Sequence, residues 1–150
     1  MNEQKSIKNM GENLAFTAKG LFKTADILKL EYKILLSISI LFSLLGLAFD
    51  IDATWVKILG VISIFATIYI LINENNQHKV SEFMKLGNDY LTLYDEVEKH
   101  YYNGVESLPE ELYKRKEILQ EKTSLYNISI LAKIWVDKTI YKEMNLDWTK

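Results

Sequence analysis

His78 and His100 are the side chains best suited to metal or proton chemistry in this chain, and they stand far apart in sequence. No His-Glu-x-x-His pattern holds either one. The chain has no cysteine, so a thiol nucleophile, a disulfide and a Cys-x-x-Cys metal clip are all excluded. Both histidines read as solvated helix-surface residues. The serines of the apolar stretches have no histidine nearby to take a proton. The glycines form no phosphate-cradling loop, and the carboxylates are spread over polar helix faces. No catalytic constellation and no metal site emerge, and no cofactor is implied. The residues describe a protein that is not an enzyme.

Small and hydroxylated residues carry more information. Ser39, Ser43 and Gly46 fall on one face of a first apolar stretch, and Gly60, Ser63 and Thr67 on one face of a second. Glu74 lies one heptad beyond Thr67. Such spacing lets helices approach closely and lets hydroxyls bond across the contact. Two readings stand side by side: close packing within a helix pair, or a polar path between subunits with Glu74, Asn75 and Asn76 at its mouth. Tyrosines form another group, at Tyr90, Tyr94, Tyr101, Tyr102, Tyr113 and Tyr126. They suit a half-buried helix seam, an interface or stacking on a nucleobase. Lys114-Arg115-Lys116 holds the chain's single arginine. It reads as a contact for an anionic ligand or lipid headgroup, or as solvated charge.

The elements that must position these residues are helical. Residues 34–49 and 58–72 are uncharged and strongly apolar, separated by a short turn containing Asp50, Asp52 and Lys57. Each spans roughly 23 Å as a helix, short of the ~30 Å hydrocarbon core of a bilayer. Tyr32, Lys33, Trp55 and Lys57 flank them as interfacial residues that extend the reach. A water-soluble helix keeps a polar face, and these have almost none. A soluble bundle with a buried apolar hairpin is the alternative. Lysines before the first stretch and after the second, against an acidic turn, place both termini in the cytoplasm by the positive-inside rule. The first apolar run begins too late for a secretory signal, so the N-terminus is expected to be retained. The net charge of −2 gives no reason to expect direct nucleic-acid binding.

Before the first stretch, Ile7, Met10, Leu14, Ala18, Leu21, Ala25 and Leu28 form an amphipathic stripe that can run directly into it. Gly11 and Gly20 weaken that continuity. After the second stretch, Val80, Phe83, Gly87, Tyr90, Tyr94, Val97 and Tyr101 form a seam, read as a cytoplasmic packing or oligomer interface. Its helix continues the second stretch and ends at Asn103-Gly104. Ser107-Leu108-Pro109-Glu110 is read as a cap, an early proline and a capping box opening a last helix that reaches Asp137 or beyond. The tail with Tyr141, Met144 and Trp148 is expected to pack only partly. The fold class is all-α: one domain of 1–150, with an amphipathic helix at 1–33, a transmembrane hairpin at 34–72 and cytoplasmic helices at 73–150.

This layout resembles a SLATT domain, the two-transmembrane effector associated with SMODS and SLOG proteins in bacterial conflict systems. The resemblance rests on the hairpin at 34–72, the polar break Asn73-Glu74-Asn75-Asn76-Gln77-His78, and the seam that ends Tyr90-Leu91-Thr92-Leu93-Tyr94-Asp95-Glu96-Val97. It implies an antiphage effector in the bacterial inner membrane, in contact with lipid, that forms a homo-oligomer and a pore. The trigger would be a separate sensor protein or a nucleotide second messenger. A membrane adaptor that docks a partner protein through its cytoplasmic helices shares the same layout.

Overall fold

A computed structural model describes residues 2–48, 53–72, 75–144 and 146–149, with the backbone alone at 2, 46–48, 53, 72 and 75–77. These residues form α1 (Asn2–Ala48), α2 (Ala53–Ile72), α3 (Asn75–Tyr102), α4 (Glu110–Ser124), α5 (Ile130–Glu143) and a 3-10 turn (Asp147–Thr149). No strand occurs among the described residues, and their regular structure is helical as expected. The chain divides into two compact units, Met1–Ala25 with Ser81–Lys150, and Asp26–Val80.

The first unit packs the start of α1 with α3, α4 and α5. The predicted stripe of α1 is its core: Ile7, Met10, Leu14, Ala18, Leu21 and Ala25 are all buried. Neither Gly11 nor Gly20 interrupts α1. Both are sites of close approach, because a Cβ on Gly11 would meet the Trp148 ring and one on Gly20 would lie 3.3 Å from Ile128. The facing stripe of α3 supplies Phe83, Leu86, Tyr90, Leu93, Tyr94 and Val97. Gly87 lets Phe22 approach to 2.8 Å of where a Cβ would stand.

α3 ends where Asn103-Gly104 predicts. Gly104 has φ +69°, the left-handed conformation glycine adopts without steric cost. The Val105 N–H donates to the His100 carbonyl at 3.3 Å and the Gly104 N–H to Tyr101 at 3.1 Å, the paired bonds of a Schellman cap.

Three expectations need correction. The capping box does not form: Pro109 itself is the N-cap of α4, with no side-chain cap bond. The proline's missing N–H and the acids Glu110 and Glu111 in the first turn suit that end without one. The single last helix is two helices, α4 and α5. The break is held by a long-range bond, in which the Ser129 N–H donates to Thr24 Oγ1 at 3.1 Å. The tail is also firmly packed. Leu146, Trp148 and Thr149 are buried, and the Trp148 indole N–H donates to the Tyr94 hydroxyl at 2.9 Å.

The second unit pairs the rest of α1 with α2. Tyr69, late in α2, donates to Glu31 Oε1 at 2.9 Å, early in this part of α1. With only four residues between Ala48 and Ala53, the two helices run antiparallel. The turn acids Asp50 and Asp52 lie outside the described residues.

Candidate functional site

The Asp26–Val80 unit carries large apolar side chains on its outside. Leu36, Ile40, Leu41 and Leu44 of α1 are exposed, as are Val61, Ile64, Phe65, Ile68 and Leu71 of α2. The hydroxyls of Ser39 and Ser63 are buried without a hydrogen-bond partner. Other hydroxyls close onto their own helix. Ser43 donates to the Ser39 carbonyl at 2.9 Å, and Thr67 donates to the Ser63 carbonyl at 2.8 Å. Bonds of this kind satisfy a hydroxyl without water, which is the requirement in hydrocarbon.

The small-residue faces therefore divide. Ser39 and the Ser63 hydroxyl are turned inward. Ser43 and Thr67 are exposed, and Gly60 faces open space. Gly46 lies in α1 where the backbone alone is described, and Glu74 lies outside the described residues. One helix among the described residues, at Thr54–Leu71, is long and apolar enough to cross a membrane, and only 11% of that window is buried. A core helix of a soluble bundle would be mostly buried.

The α3 seam is used inside the chain. Phe83, Gly87, Tyr90, Tyr94 and Val97 are buried in the first unit, and Tyr101 is half-buried. Val80 is half-buried and belongs to the second unit. Tyr101 and Trp148 stack at 4.9 Å between ring centroids. Burial is the main cause that pushes the Tyr94 hydroxyl up to about 12; the Trp148 indole opposes it, and Glu98 and Asp95 add to it. Burial also raises Tyr90. Tyr126 is raised chiefly by donating to Glu82, and Tyr141 by donating to Glu12.

These shifts set an alkaline limit on stability. A tyrosine whose folded pKa lies above its unfolded value of 10.0 contributes fully below that value. Its contribution is lost as pH rises from there toward about 12, because the unfolded chain ionises first. The melting temperature is expected to fall across that window, and less steeply in Tyr94→Phe. Thermal scans at successive alkaline pH values check this, and equal slopes would contradict it.

The basic triplet does not converge on one site. Lys114 pairs with Glu110 at 2.9 Å in an exposed i,i+4 bridge, and Arg115 pairs with Glu96 of α3. Lys116 turns away from them into an open polar cleft of about 420 Å³, lined also by Lys5, Ser6, Asn9, Asn13 and Tyr113. Of the tyrosines, Tyr102 and Tyr113 are exposed, whereas Tyr90, Tyr94 and Tyr126 are tied into the bundle. His78 is exposed and His100 half-buried. Sequence reasoning passes over Thr24, whose hydroxyl holds the α4–α5 break. It takes Gly11 for a weak point of the helix, whereas its lack of a side chain admits Trp148. Neither has a local signal, though Ser129 before Ile130 has the form of a helix start.

An apolar-outward pair of helices joined to a helical bundle is the layout expected of a two-transmembrane effector. The family model for SMODS and SLOG-associating 2TM effector domain 6 matches residues 1–150, the whole chain. The chain belongs to the SLATT_6 family. No curated protein and no solved structure matches this SLATT domain. In this SLATT chain the unit with the outward apolar helices is Asp26–Val80.

Proposed function

We propose that this SLATT domain is an antiphage effector of the bacterial inner membrane. Residues 34–72 cross the bilayer as a two-helix hairpin with both termini cytoplasmic, and copies associate to permeabilise the membrane when a partner signals infection. The observation that carries this reading is the outward exposure of the second unit's large apolar side chains, with only 11% of the Thr54–Leu71 window buried. In water the outward side chains would forfeit about 25 cal/mol per Å² of apolar surface. In lipid they lose nothing, and the small side chains of Ser39 and Ser63 allow close helix contact.

One hairpin cannot enclose a path, so permeation requires a homo-oligomer. Ser43, Gly60 and Thr67 are free to serve that association, because they are exposed in the single chain. A sensor protein or a nucleotide signal supplies the trigger, which keeps the resting form harmless.

Cells induced to express the chain are expected to depolarise and arrest, read with a membrane-potential dye. Gly60→Leu and Ser43→Leu are expected to abolish both effects at an unchanged membrane level, since both positions are exposed in one hairpin and a larger side chain there meets no neighbour within it. Retained depolarisation would count against an association through these faces. Replacing 34–72 with an unrelated hairpin separates the effector from an adaptor. An adaptor keeps its activity after that exchange, and a permeation path does not.

A further inference from the structure

The opening turns of α1 and the first half of α4 line the polar cleft of about 420 Å³. From α1 come Lys5, Asn9 and Asn13, which recur at helical spacing and so share one face. From α4 come Tyr113 and Lys116, one turn apart. Met10, otherwise buried, completes the wall between them. Every one of these residues belongs to the first unit, so the cleft is formed within that unit alone.

Charge sets this cleft apart. Its lining holds two ammonium groups and no carboxylate among the described residues, in a chain with 20 acidic residues against 18 basic ones. Two other clefts of the same unit are mixed: Lys133 lines one with Asp137, and Arg115 and Lys122 line another with Asp89. Elsewhere in the unit cations are engaged. Lys19 pairs with Glu143, Lys114 with Glu110 and Arg115 with Glu96, and Lys23 lies over the Trp135 ring. By contrast, the side chains of Lys5, Asn9, Asn13, Tyr113 and Lys116 make no hydrogen bond or ion pair among the described residues. Tyr126 and Tyr141 both spend their hydroxyls on carboxylates, and Tyr113 does not. Two like charges on one cleft repel each other and are relieved by an anion between them.

We infer that this cleft binds the phosphate group of a small soluble ligand. Lys5 and Lys116 meet the phosphate oxygens as point charges, and Asn9, Asn13 and Tyr113 hydrogen-bond the polar body that carries the phosphate. Amides both donate and accept, and a phenol does the same, so the lining suits a hydroxylated or amide-bearing molecule. The volume falls within the range of small-molecule sites. A lipid headgroup offers the same phosphate chemistry, but Met10 is the one aliphatic side chain in the lining, which leaves acyl chains no apolar slot. The inference stands on the first unit and does not depend on residues 34–72 occupying the bilayer.

Equilibrium dialysis of radiolabelled inorganic pyrophosphate against the full chain in dodecyl maltoside, at fixed ionic strength, reads the site. Saturable binding is expected, weakened at least about fivefold by Lys5→Gln and by Lys116→Gln, each of which removes one charge-assisted contact. Lys122→Gln and Lys133→Gln, in the mixed clefts, are expected to change it less than about twofold. Lys5 is exposed and Lys116 half-buried, and neither pairs with an acid among the described residues, so melting followed by circular dichroism is expected to stay unchanged in both variants. Absence of saturable binding overturns the inference. Equal weakening by all four variants also overturns it, since pyrophosphate then senses only the general cationic surface. Glycerol phosphate is expected to displace the probe more effectively than dihexanoyl phosphatidylglycerol. The reverse order overturns the soluble source and assigns the phosphate to a lipid headgroup.

Discussion

Trp148→Ala is expected to destabilise the helical unit by about 3–5 kcal/mol, the range for emptying a large buried aromatic site. Trp148 is the point where the C-terminal turn closes on α1 and α3. Its indole donates to Tyr94 at 2.9 Å, its ring lies against Tyr94 and Tyr101, and it fills the space left by Gly11. A Cβ on Gly11 would lie 2.2 Å from Trp148 Cη2, so Gly11→Ala must displace the ring. In the Trp148→Ala background the space is open, and Gly11→Ala then gains up to about 1 kcal/mol of helix propensity. The same substitution thus changes sign with its partner. Unfolding of the four variants of the full chain in detergent, followed by circular dichroism, gives the coupling. Additive effects would show that Trp148 does not depend on Gly11.

The second large effect concerns solvent. Phe65 sits near the middle of α2 and is among its most exposed side chains. A lysine at the centre of a membrane span costs about 2.5–3.5 kcal/mol, a shift of roughly a hundredfold in the inserted population. On a helix facing water, Phe65→Lys would be neutral or would improve solubility. Ser63→Ala behaves differently, because it removes a buried hydroxyl that has no partner and should leave insertion intact or slightly favoured. An insertion reporter fused to each variant reads the two changes. Equal insertion of wild type and Phe65→Lys would contradict the placement of α2 in lipid.

Local signals made much of this legible in the sequence. The three–four spacing from Ile7 to Ala25 is the buried stripe of α1, since amphipathic spacing alone decides which face a helix hides. Asn103-Gly104 ends α3 because only a glycine takes its backbone conformation without cost. Contacts distant in sequence were not legible. Nothing near residue 125 announces that Thr24 will hold Ser129, and the weak spacing around Trp148 hides the fact that a glycine on α1 receives its ring. The small-residue faces were half legible. Ser39 and Ser63 turn inward while Ser43 and Gly60 turn outward, because each helix's rotation about its own axis is fixed by its partner rather than by its own residues. The resemblance to SLATT domains came from layout, and the match over the whole chain agrees with it.

If the Asp26–Val80 unit sits in lipid, alkaline carbonate extraction of membranes from expressing cells leaves the full chain in the membrane pellet and releases Phe65→Lys in large part. Release of the unmodified chain into the supernatant would contradict it.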